Sequence, residues 1–176
     1  MPYLFRLGAL ILLCGSLSAC APVTTLPNSA VFEDENIENQ AISLIKSRHI
    51  GNAHINVTCF NRRLLLSGEV QNEASKNEIE KIVSVVANVR AVSNELTVGE
   101  MRGIASSTTD SLIISDVKFR FIKYGSFQAS RIKIMAEDAT VFLMGKINRT
   151  DGSSAAELAS STKGVRQVVL LFDYLD

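Results

Sequence analysis

The residues best suited to a chemical task lie between Leu112 and Tyr124, where Lys118, Arg120 and Lys123 alternate with Phe119, Ile122 and Tyr124. Ile113, Val117, Phe121 and Tyr124 follow three- and four-residue helical steps and are expected to face a core. Leu112, Phe119 and Ile122 then fall nearer the opposite side, among the cations. Apolar groups on the outside of a helix, flanked by ammonium and guanidinium groups, suit the headgroup boundary of an anionic bilayer. Rings and alkyl groups enter the apolar layer while the cations meet phosphates. The candidate lipid-binding set is Leu112, Lys118, Phe119, Arg120, Ile122, Lys123 and Tyr124. The alternative use of the same surface is burial of Phe119 and Ile122 against another part of the chain.

Other chemistry has few candidates. Of the two histidines, His49 falls on the core-facing edge of a helix and His54 at the start of a strand. Neither stands at ligand spacing from cysteine or acidic residues, so no metal and no other cofactor is expected. There is no GxSxG and no glycine-rich phosphate loop, and the chain reads as a non-enzyme. Glu137 and Asp138 fall at a turn, where solvated acids are common. Cys59 shares alternating parity with Ile55 and Val57, which favours a small core residue over a nucleophile. The 18 basic and 18 acidic residues balance, with no dense basic run, so no nucleic-acid partner is expected.

The elements that must position these residues come in two copies. Leu64–Gly68 (LLLSG) corresponds to Val141–Gly145 (VFLMG), and Ile55 and Val57 stand as far before the first glycine as Ile132 and Ile134 before the second. ISLIKSRHI (42–50) and ISDVKFRFI (114–122) also agree at five of nine positions. Two units of roughly 65 residues are each near the lower limit for independent folding, and should lean on one another. The first unit reads as helix 38–50, strand 55–59, strand 64–70, helix 73–87 and strand 91–98. The second reads as helix 110–124, strands 131–136 and 140–147, helix 151–162 and strand 165–174. The expected fold is α+β, with two tandem αββαβ domains, 37–99 and 110–176, each a three-stranded mixed sheet packed against two helices. Residues 100–109 form the expected linker, the stretch from Gly99 to Thr109 holding two glycines and a Ser-Ser-Thr-Thr run.

Residues 1–19 read as an export signal. Arg6 precedes an apolar run from Leu7 to Leu13 that is too short for a membrane span of about 20 residues. Leu17-Ser18-Ala19-Cys20 resembles the lipobox of bacterial lipoproteins, which implies a covalent lipid, with fatty-acyl chains such as palmitate, on Cys20. Several acyl chains at about 0.8 kcal/mol per buried methylene would hold such a protein permanently. Residues 20–36 are then the lipidated N-terminus and a flexible tether. By the same resemblance, Ala21 in place of Asp implies the outer membrane, with the protein facing the periplasm. Cys14 leaves with the signal and Cys20 is acylated, so Cys59 has no disulfide partner.

The sequence carries a second resemblance. INVT, LLLSG and NVRAVSNELTV in the first unit, and RIKIMAEDATVFLMGKI with KGVRQVVLLFDYL in the second, resemble two BON domains. Behind a lipobox they resemble the dual BON-domain outer-membrane lipoproteins. That resemblance implies a protein of envelope integrity that binds anionic phospholipid through the first helix of its second BON domain. Leu112 stands where the resemblance implies a tryptophan. The alternative function is an adaptor for an envelope protein partner such as the outer-membrane protein assembly machinery, and a purely structural oligomer is a third.

Overall fold

The computed structural model describes residues 29–48, 51, 53–99 and 104–176. The expected signal, Cys20 and His49 lie outside the described residues. The first unit comprises α1 (Ser29–Ser47), β1 (Ala53–Phe60), β2 (Arg63–Val70), α2 (Glu73–Ser84), β3 (Ala91–Asn94) and β4 (Thr97–Val98). The second comprises α3 (Ile104–Tyr124), a 3-10 turn at Ala129–Arg131, β5 (Ile132–Glu137), β6 (Thr140–Ile147), α4 (Arg149–Ser160) and β7 (Gln167–Tyr174). Each unit is helix, hairpin, helix and a returning parallel strand, the expected α+β order.

Two helices begin earlier than the sequence indicated. α1 starts at Ser29, inside the stretch expected to be tether, and α3 starts at Ile104, inside the expected linker. Glu33, Asp34 and Glu35 lie in the first half of α1, beyond its first turn. In α3 the hydroxyl-bearing residues do not break the helix: Ser111 Oγ donates to Ser107 O at 2.9 Å and Ser115 Oγ to Ser111 O at 3.0 Å.

Both hairpins use a two-residue turn with left-handed residues at both positions. Asn61 and Arg62 have φ of 49° and 61°, and Asp138 and Ala139 have 48° and 58°. This backbone matches the twist of the flanking strands. Each turn is tied to the first helix of its own unit by one carboxylate. Asp34 accepts from the N–H groups of Asn61 and Arg62, both at 2.8 Å. Asp110, buried, accepts from those of Asp138 and Ala139 at 2.9 and 2.8 Å.

These carboxylates correct the helix alignment. The five-of-nine match pairs Ile42 with Ile114, whereas the buried faces pair Ile37, Ala41 and Ile45 with Ile113, Val117 and Phe121. The difference of four residues is close to one helical turn, so the wrong register still matched like face with like face.

β1 and β2 are antiparallel, with Ile55 opposite Gly68, and β5 and β6 repeat this with Ile132 opposite Gly145. Gly68 has φ of 113°, and a Cβ there would sit 2.0 Å from His54 O. The expected strand 91–98 is accordingly split: β3 and β4 both run parallel to β2 and are interrupted opposite Ser67 and Gly68. β7 pairs with β6 without a break over its eight residues. N-caps are also repeated, since Asn72 Oδ1 accepts from Ser75 N at 2.8 Å and Asn148 Oδ1 from Asp151 N at 2.7 Å.

One face of each sheet is covered by its own two helices, which enclose Leu64, Leu66, Ile79 and Val83 in the first unit and Val141, Leu143, Ala155 and Ala159 in the second. The other faces meet each other. Leu65, Phe142 and Met144 are buried together, with Phe60, Met135, Val169 and Leu171 around them. The result is four layers, helix, sheet, sheet, helix. Polar groups close the rim: Asp173 accepts from Asn61 Nδ2 at 3.0 Å, from Arg63 at 3.1 Å and from Arg90.

Candidate functional site

The face of α3 turned away from its sheet carries the candidate residues. Ile113, Val117 and Phe121 are buried against the second core as expected. Leu112, Phe119 and Ile122 are exposed, Phe119 to 59% and Ile122 to 70%. Because the two sheets meet back to back, the burial of Phe119 and Ile122 between the domains, the alternative raised by the sequence, does not occur.

The cations do not all serve this face. Lys123 Nζ lies 5.5 Å from the Phe119 ring centroid and 5.0 Å from that of Tyr124, so charge and rings form one patch. Lys118 is exposed beside Ile122. Arg120 is directed elsewhere: Nε donates to Leu158 O at 3.2 Å and Nη2 to Ser161 Oγ at 2.7 Å, at the C-terminal end of α4. A guanidinium there complements the helix dipole and is a packing group. Tyr124, expected to face the core, is exposed because the helix ends there. Asp116 is also exposed on α3 and places one negative charge near the patch.

The start of α1 adds a neighbour that sequence reasoning missed. A groove of about 850 Å³ separates α1 from α3, with Val31 and Asp34 on one wall and Ile114, Lys118 and Ile122 on the other. Lys133 spans it, donating to Glu38 Oε1 and to Cys59 O, both at 2.9 Å. Val31 and Phe32 are themselves exposed. The reading of 21–35 as a tether hid this contribution, because proline, threonine and acidic residues mask the few apolar ones.

Cys59 is buried, and its Sγ donates to Asp34 Oδ1 at 3.2 Å. Burial first, then that hydrogen bond and the negative charges of Asp34 and Glu38, push the thiol well above its ordinary range. It is a core residue, as its parity indicated. A cluster not foreseen is His54, Glu69 and Glu137, whose donor atoms come within 4.8 Å of one another. Sequence spacing could not show it, because Glu137 comes from the other domain.

The sequence family matching this architecture is the BON domain, over residues 33–100 and again over 109–175. The chain belongs to the BON-domain family. The chain is 30% identical over 177 aligned residues, 98% of its own length and 92% of the relative, to the outer membrane lipoprotein DolP of Haemophilus influenzae. A 21 kDa hemolysin of Actinobacillus pleuropneumoniae is 27% identical over 88% of this chain and 80% of its own. The osmotically-inducible protein Y of Escherichia coli is 26% identical over 72% of this chain and 64% of its own. The relationship supports a dual BON-domain lipoprotein of the outer membrane, and with it a place in the cell envelope.

Proposed function

We propose that this is a lipid-anchored periplasmic protein whose second BON domain docks on anionic phospholipid through α3 and so supports outer-membrane integrity. The observation that carries the reading is the exposed stripe Leu112, Phe119 and Ile122 beside Lys118 and Lys123. Burial of a side chain such as Phe or Ile contributes about 1.5–3 kcal/mol, and each basic group at an anionic surface about 1 kcal/mol. Asp116 and the loss of side-chain freedom oppose this. The balance is adequate for a protein already held at the surface, where a covalent anchor raises the effective concentration.

The location of α1 supports the same reading. Ser29 is nine residues from Cys20, a span of roughly 30 Å at full extension. Val31 shares the groove with Ile122, so a lipid on Cys20 would lie within reach of the α3 patch.

Vesicle co-sedimentation of the polypeptide from Ala21 onward, with and without anionic lipid, tests the proposal. Binding is expected to require anionic lipid and to fall at least tenfold in Phe119→Glu and Ile122→Glu. Folded variants that bind as well as the parent would refute the assignment of the site.

A further inference from the structure

The facing sheets bring together three metal-ligand side chains that neither domain contains by itself. His54 and Glu69 stand directly opposite each other on β1 and β2, which places them on one face of the first sheet. Glu137 ends β5 of the second domain. His54 Nδ1 is 3.3 Å from Glu69 Oε2 and 3.8 Å from Glu137 Oε1. Both carboxylates are withdrawn from solvent, with side chains only 4% and 16% exposed.

Three features distinguish this cluster from a chance meeting of surface charges. First, its spacing suits a bound ion: ligands held at 2.0–2.2 Å around a tetrahedral centre lie roughly 3.3–3.6 Å apart. Small side-chain rotations would bring the observed separations into that range. Second, Glu137 is already oriented. Asn56 Nδ2 donates to its Oε2 at 2.7 Å, leaving Oε1 towards His54, the kind of outer contact that fixes a carboxylate ligand. Third, an imidazolium would balance only one of two carboxylate charges, whereas a divalent cation with neutral imidazole balances both.

We propose that His54, Glu69 and Glu137 form a Zn²⁺ site that clips the two BON domains together. One imidazole nitrogen with two carboxylate oxygens suits Zn²⁺, while Mg²⁺ and Ca²⁺ favour oxygen ligands alone. The partly exposed His54 gives the ion a path from solvent and leaves a fourth position for water. The site uses none of the residues of the α3 lipid patch.

The test uses the full chain in detergent, stripped with a chelator and titrated with Zn²⁺ against a chromophoric competitor. One Zn²⁺ per chain is expected, with a rise in Tm that Mg²⁺ does not reproduce. His54→Ala and Glu137→Gln should weaken binding by at least tenfold, Asn56→Ala by about tenfold, and His49→Ala not at all. Co²⁺ loaded into the unaltered chain provides a readout that does not depend on variants folding. Its visible spectrum should show nitrogen and oxygen ligation without a thiolate charge-transfer band. Absence of saturable Zn²⁺ binding, binding indifferent to His54→Ala and Glu137→Gln, or a thiolate band would each overturn the proposal.

Discussion

Asp34 and Asp110 illustrate how much one side chain can organise. Each carboxylate accepts two consecutive backbone N–H groups of a hairpin turn, and so joins the first helix of a domain to the hairpin that follows it. Removing the acceptor leaves two donors without it, at a cost of about 1–3 kcal/mol. Asp110→Ala is expected to cost at least as much as Asp34→Ala, since Asp110 is the more deeply buried, and denaturant unfolding at neutral pH measures both. Neither residue stood out in the sequence, where Asp34 belonged to an acidic run and Asp110 merely opened a helix. An aspartate that caps a remote turn carries no local signature, because its partners lie 27 to 29 positions away.

Among the elements, the strands were the most legible and the helix starts the least. LLLSG and VFLMG combine β-favouring residues with a glycine at one register position, and both became the central strand of their sheet. Gly68 is required more strictly than its counterpart: an added Cβ would lie 2.0 Å from His54 O, against 3.0 Å from Arg131 O at Gly145. Gly68→Ala should therefore cost roughly 3 kcal/mol or more, and Gly145→Ala clearly less, as paired thermal melts would show. The starts of α1 and α3 were obscured by serine, threonine and acidic residues, which favour turns and caps but lie within the helices here. The α3 pattern was read correctly for Leu112, Phe119 and Ile122. It was misread for Arg120, whose partners on α4 are 38 and 41 residues away, and for Tyr124, which stands at the helix end.

At the scale of the whole molecule, duplication supplies two sheets whose outer faces bury each other, and this is what leaves α3 free. Sequence alone could not choose between the sheets and the helices as the contact, because alternating apolar residues on both sheet faces are equally consistent with a strand buried in one domain. Asp173 anchors the rim of that contact. Burial works to raise its carboxyl, but hydrogen bonds from Asn61, Arg63 and Arg90 outweigh it and hold the group below the ordinary range. Its contribution is therefore complete above the unfolded-state value, about 4, and is lost as pH falls through the lower folded-state value. Asp173→Asn should be less stable than the parent at neutral pH, with the difference closing as pH falls below the ordinary aspartate range, as denaturant titrations from neutral to acid pH would record. Docking through α3 is directly measurable because the chain has no tryptophan. A single Phe119→Trp reporter should shift to the blue and be quenched by brominated acyl chains when anionic vesicles are added, while Val85→Trp, exposed at the end of α2, should not respond. Quenching at Val85→Trp equal to that at Phe119→Trp, or none at Phe119→Trp, would contradict docking through α3.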